Sequence, residues 1–165
     1  MIGEGVMNEL LSLLKQNALE SPANLAKMLG TTEEAVCQQI AEYEKSGIIR
    51  AYQAVLNEEK LDASLVTTVI EVKITPESEG GFDRIASRIS RFSEVDSVFL
   101  MSGTFDLLLF IKGRTMHEAA SFVSEKLATM PGVTSTATHF MMKTYKQNGI
   151  LMQTGEDDER LKVSP

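Results

Sequence analysis

Cysteine is almost missing from this chain. Cys37 stands alone among 165 residues, so an internal disulfide framework and a cysteine-based zinc cluster are both excluded. The two histidines, His117 and His139, lie far apart and lack the companion cysteine or carboxylate spacing that specifies a metal site. No metal or cofactor is expected. Long apolar runs are missing too. The longest, Phe105–Ile111, is of strand length and contains Asp106, whereas a membrane-spanning helix needs about 20 apolar residues. Met1-Ile2-Gly3-Glu4 has no basic lead and opens no apolar signal core, which leads us to expect a cytoplasmic protein with no membrane partner. An excess of positive charge is absent: 16 basic residues face 23 acidic ones, a formal charge of −7. That argues against a generally basic nucleic-acid coat and leaves room only for a local binding face. Catalytic machinery is the last absence. No nucleophile–base pair, metal cluster or phosphate loop can be assembled, and Gly80-Gly81 lacks the Lys-Ser/Thr that a phosphate loop requires. No catalytic residue is assigned, and an enzyme is not expected.

What is present is an ordinary globular composition, 43% hydrophobic and 24% charged, split into two unlike parts. Residues 1–60 hold five basic residues against nine acidic ones, residues 61–148 nine against ten, and the tail from Gly149 two against four. Periodicity changes at the same border, from helical spacing to strand-like alternation. In the first part Val6, Leu10, Leu11 and Leu14 recur at helical spacing. Ser21-Pro22 reads as a cap followed by proline at the first helical position, with Gly30 as the stop. Thr31 or Thr32 caps a third helix whose first turn holds Glu33 and Glu34 and whose buried stripe is Val36, Ile40 and Tyr43. Gly47 ends it, and Ile48–Leu56 follows as a short strand-like pair. Three helices and a small hairpin describe a winged helix-turn-helix over residues 1–54, with a linker over 55–64.

In the second part Val66, Thr68, Ile70, Val72 and Ile74 share one face of a strand that ends at Pro76 and Gly80-Gly81. Phe82, Ile85, Ala86, Ile89 and Phe92 form a helical stripe. Val95–Ser102 and Phe105–Lys112 read as an antiparallel hairpin turning at Gly103-Thr104. Met116, Ala119, Ala120, Val123, Leu127 and Met130 form a second stripe, stopped by Pro131-Gly132, and Val133–Lys146 closes the unit as a long strand. The order β-α-β-β-α-β over 65–148 is that of a ferredoxin-like domain, so the fold class is α+β. Residues 149–165 are expected to form an acidic tail around Glu156–Glu159, a solvated end. The run Leu107–Ile111 is apolar on both strand faces, and one chain's helices can cover only one of them, so a second subunit is expected on the other.

Three segments together carry a family resemblance: Gly47-Ile48-Ile49-Arg50-Ala51-Tyr52 with Ala54-Val55-Leu56-Asn57, then Ser102-Gly103-Thr104-Phe105-Asp106, then Pro131-Gly132-Val133 with Thr134–Thr138. In this order and spacing, from Val6 to Gly149, the chain resembles the Lrp/AsnC, or feast/famine, transcriptional regulators. The resemblance implies a homodimer built by sheet packing and assembled further into tetramers or octamers. It also implies a small effector, commonly an amino acid, bound between dimers near the glycine loop.

Two sets of residues follow. For the effector these are Met101, Gly103, Thr104, Asp106, Thr136 and Thr138: glycine exposes backbone N–H groups to a carboxylate, Asp106 can face an ammonium, and the threonines offer hydroxyls. The plainer account is that Gly103 only makes the turn and Asp106 caps backbone donors. For double-stranded DNA these are Thr32, Glu34, Gln38, Gln39, Glu42 and Lys45 on the third helix, with Lys27 and Arg50 for phosphate. Gln38 and Gln39 can read adenine edges. Family members carry several cations along this helix. Here carboxylates dominate it, so weak, salt-sensitive or partner-assisted DNA binding is expected. The rival reading is an oligomeric metabolite sensor or scaffold with little DNA binding. Cys37 and His139 read as ordinary helix and surface residues.

Overall fold

The computed structural model describes residues 4–61, 66–75, 81–113 and 115–153. The chain divides into two units, Met1–Ala54 and Val55–Pro165.

The first unit is built from three helices whose ends are set by local chemistry. Helix α1 covers Glu4–Gln16, α2 covers Pro22–Leu29 and α3 covers Glu33–Ser46. Ser21 Oγ accepts the Asn24 N–H at 3.2 Å, and Pro22 opens α2 where its missing N–H costs nothing. Gly30, at φ 63°, makes the left-handed turn between α2 and α3. Thr32, not Thr31, then caps α3, its Oγ1 accepting the Ala35 N–H at 3.3 Å. Leu10, Leu14, Leu25, Ala26, Val36 and Tyr43 are buried together, and Ile40 and Ile49 pack against them at the edge.

The expected hairpin over Ile48–Leu56 is absent. Residues 50–57 contain no strand, and Ile48, Ala51, Tyr52 and Leu56 are exposed. A strand exists only where its backbone groups find a ladder partner. Here the Ile49 N–H goes to Tyr43 O at 3.1 Å, closing the helix end instead of opening a ladder. The Tyr52 hydroxyl donates to Glu44 Oε1 at 3.0 Å. The unit is a helix-turn-helix without a paired wing.

The second unit is a four-stranded antiparallel sheet in the order β2-β3-β1-β4, with β1 Val66–Ile74, β2 Val95–Leu100, β3 Leu107–Gly113 and β4 Val133–Phe140. Helix α4 (Asp83–Ile89) follows β1, and α5 (Met116–Ser121) follows β3, which completes the ferredoxin-like order. Alternation decides the faces. Thr68, Ile70, Val72 and Ile74 of β1 and Leu107, Leu109 and Ile111 of β3 are buried against Ile85, Ile89, Ala119, Phe122, Leu127 and Met130. The expected continuous helix through Met130 changes pitch after α5: Phe122–Leu127 is a π-helical turn, bonded Ala128 N–H to Val123 O at 2.8 Å. The wider turn lets Phe122 and Leu127, five residues apart, both reach the core.

The opposite sheet face is apolar across its middle. Register places Phe99 beside Leu108 and Val69 beside Phe110, with the Phe99 and Phe110 rings edge to face at 6.0 Å. Glu71 Oε1 and His139 Nε2 lie 3.4 Å apart on this face, and Lys112 pairs with Glu58 and Asp96 at its rim.

The last strand is shorter than expected. It ends at Phe140, and Lys146–Gln147 (β5) and Ile150–Leu151 (β6) form a separate hairpin. Asn148 (φ 49°) and Gly149 (φ 87°) supply its two left-handed positions, the pairing a tight two-residue turn demands. The expected start of the tail thus falls inside this hairpin, and Glu156–Glu159 lies outside the described residues, as do Pro76 and Gly80. Within the expected linker, Asn57 Nδ2 donates to Met152 O at 2.9 Å and Glu58 holds Lys112 at 2.9 Å, so residues 57–58 are anchored to the second unit. Among the described residues no helix is long and apolar enough to cross a membrane.

Candidate functional site

The β2–β3 connection is a six-residue loop, 101–106, since Leu100 pairs with Leu107. The two-residue turn expected at Gly103-Thr104 is therefore only its tip. Asp106 fastens the base three times. Its carbonyl accepts the Met101 N–H at 2.8 Å, its own N–H donates to Val72 O at 3.0 Å, and its Oδ2 accepts the Ile74 N–H at 2.8 Å. The last bond lies just beyond the end of the β1–β3 ladder, which stops at Val72 and Leu107, and so supplies an acceptor where that ladder has ended. Asp106 does cap a backbone donor. Among the described residues Oδ1 takes no further hydrogen bond.

Gly103 lies at φ 154° with nothing within 4 Å of where a side chain would begin. Met101 and Thr104 are exposed. Thr136 pairs with Val72 and so sits in the same cross-strand row as Leu107, at the loop end of the sheet. Thr138 pairs with Ile70, two rows further away, about 7 Å along the strand. The structure thus gathers Met101, Gly103, Thr104, Asp106 and Thr136 toward one end of the sheet and sets Thr138 apart. Sequence reasoning missed Leu100. It ends β2 in the same row as Leu107 and Thr136 yet is 58% exposed, an apolar surface beside the loop. An outward leucine closing an edge strand was the available signal.

On α3, Glu34, Gln38, Glu42 and Lys45 are exposed, while Gln39 is half-buried and donates to Glu42 Oε2 at 3.4 Å. Thr32 is committed to capping Ala35. Lys27 is exposed in the last turn of α2, and Arg50 is exposed just beyond α3. Four carboxylates, Glu33, Glu34, Glu42 and Glu44, share the helix with one cation, Lys45. Cys37 is exposed beside Gln38.

Residues 67–151 match the family described as the Lrp/AsnC ligand binding domain. The HTH-type transcriptional regulator YugG of Bacillus subtilis (strain 168) is 44% identical over 158 residues, 95% of this chain and 95% of YugG. The leucine-responsive regulatory protein of Haemophilus influenzae is 30% identical over 144 residues, 87% of this chain and 86% of its own length. Both relatives are named as regulators, not enzymes. Among solved structures, a transcriptional regulator from Neisseria meningitidis in complex with L-Met superposes with a TM-score of 0.70 at 22% identity, covering 89% of this chain and 94% of that one. Escherichia coli AsnC superposes with a TM-score of 0.66 at 17% identity, covering 89% and 97%. Both superpositions are likenesses of fold.

Proposed function

The chain belongs to the Lrp/AsnC family of transcriptional regulators, and from that premise we propose that it is a ligand-responsive, sequence-specific DNA-binding regulator sensing an amino acid at a site between dimers. The observation that carries this reading is the joining of a capped helix-turn-helix to a ligand-binding domain match that contains the 101–106 loop and Thr136. One relative is leucine-responsive and one structural neighbour was solved with L-Met, which supports an amino acid as the effector class. In this reading Met101, Gly103, Thr104, Asp106 and Thr136 contact the ligand, with Thr138 at the margin. Gln38, Glu34, Glu42 and Lys45 face the major groove, and Lys27 and Arg50 meet phosphate. The apolar sheet face supports a homodimer that assembles further into tetramers or octamers, because Phe99, Leu108, Phe110 and Val69 form a patch costly to leave in water. Effector binding between dimers then biases the spacing of paired helix-turn-helix units, and with it promoter occupancy.

A second reading, a metabolite sensor that hardly touches DNA, is favoured by the acidity of α3. One experiment separates the two: mobility-shift titration on the gene's own upstream DNA at two salt concentrations, with and without each amino acid. A salt-weakened shift that one amino acid modulates is expected. Absence of any shift at low salt, together with a thermal shift from an amino acid, would establish the sensor instead.

A further inference from the structure

Buried Val36 and Tyr43, with partly buried Ile40, fix which side of α3 turns inward. At about 100° per residue, Glu34, Gln38, Ala41 and Lys45 fall in one narrow stripe on the opposite side, and all four are exposed. Several of their polar neighbours are occupied: Thr32 caps Ala35, Gln39 holds Glu42, and Glu44 accepts from Tyr52. Among the described residues no hydrogen-bond partner is found for Glu34 or Gln38. Glu34 and Gln38, on the outward stripe of the first two turns, are free to meet something else.

A free carboxylate in the first turn of a reading helix has few uses on DNA. Phosphates repel it. In the major groove guanine presents only acceptors, thymine an acceptor and a methyl, and adenine a donor beside its N7 acceptor, whereas cytosine presents its N4 amino donor with no acceptor next to it. Gln38, one turn later, has the donor–acceptor pair that matches adenine N6 and N7. Four residues of helix rise about 6 Å, close to two base-pair steps of about 3.4 Å each.

We infer that Glu34 is a specificity-determining residue that accepts a hydrogen bond from a cytosine amino group, with Gln38 reading an adenine about two base pairs away. This rests on the DNA-binding reading above and adds the base each side chain selects. The same negative charge that weakens binding to all DNA sharpens the choice among sequences, because guanine or thymine leaves the carboxylate desolvated without a donor and adenine sets its repelling N7 acceptor beside its one donor. Glu34 also complements the positive end of α3, next to Glu33, but that structural role is indifferent to base sequence.

The test is selection of duplexes from a randomised pool by the full chain, followed by affinities on the selected duplex and its single-base variants. Wild type should enrich a C and an A at this spacing, and replacing the C should weaken binding by about fivefold to about a hundredfold. Glu34→Gln should move the preference at that position from C to A, since an amide suits adenine. Glu34→Ala should erase it, and Gln38→Ala should flatten only the A position. Circular dichroism confirms that each variant keeps its helices. Continued enrichment of the same C by Glu34→Gln, or uniform retention of the pool without enrichment, overturns the inference while DNA binding stands. No retention of any duplex by wild type at low salt overturns the inference together with the reading beneath it.

Discussion

Asp106 takes the backbone N–H of Ile74 on its Oδ2 at 2.8 Å, tying the base of the 101–106 loop to the last residue of β1. Ile74 is buried, so removing the acceptor strands its N–H without water. Asp106→Ala should therefore destabilise the second unit by about 1–3 kcal/mol, read as a lower urea midpoint. Asp106→Asn keeps a carbonyl acceptor and should recover most of that loss, yet it removes the charge proposed to face an ammonium group. Calorimetry should then find a well-folded Asp106→Asn protein with severalfold weaker amino-acid binding. Unchanged affinity there, and in Thr136→Val, would move the pocket away from this loop.

The Lys126 ammonium is hydrogen-bonded to Glu94 and lies 5.3 Å and 5.8 Å from the ring centres of Phe92 and Phe122. Chiefly through that hydrogen bond it holds the Glu94 carboxyl below its ordinary value. A carboxyl depressed in the folded state contributes stability above the unfolded value, about 4.3 for glutamate. The contribution fades as pH falls through the lower, folded value. Lys126→Met should therefore be less stable than wild type at pH 7, and the difference should close toward pH 3. Both side chains are more than a third exposed, so the gap at pH 7 should stay below about 1 kcal/mol. Urea midpoints at four pH values measure it. A gap that persists unchanged at pH 3 would mean lost packing on the two rings, not lost charge.

Leu108 sits mid-strand on the open sheet face, between Glu71 of β1 and Phe99 of β2. Light scattering should report a dimer or larger for the wild type at low micromolar concentration. Leu108→Asp should give monomer or insoluble protein, because it places a carboxylate opposite Glu71 and inside the aromatic patch. A well-folded wild-type monomer at that concentration would sink the proposal that a second copy covers this face.

Local signals were legible in the sequence, and non-local ones were not. Ser21-Pro22, Gly30 and Gly47 act within one helical turn, and each ends or starts a helix where its chemistry says it should. The alternation of β1 and β3 was equally plain, since burial of one face is written at period two. Ile48–Leu56 looked like a hairpin because its residues suit strands, but pairing belongs to two segments and not to one. The π-helical turn after α5 depends on Phe122 and Leu127 both seeking the same core, which a 3.6-residue template cannot see. Asp106 stood out as a chemical group, while the donor it serves lies 32 residues earlier in the chain. Gln39 looked as free as Gln38 until α3 turned it toward Glu42.

That last contact shapes the prediction for DNA. Lys45 is the one cation on α3, with Lys27 and Arg50 flanking it, so each helix-turn-helix can neutralise few phosphates. Each neutralised phosphate contributes about −0.9 to the slope of log affinity against log salt. The slope per subunit should accordingly be shallow, and useful occupancy should come from several units engaging together. Glu42→Arg removes a repelling carboxylate, releases Gln39 and adds a cation on the exposed side of the helix. Fluorescence anisotropy over a salt series should show stronger binding to every sequence, with the slope steeper by about one for each engaged helix. If affinity and slope stay unchanged while circular dichroism shows α3 intact, that helix does not approach DNA, and the acidic face of α3 belongs to a sensor that works without it.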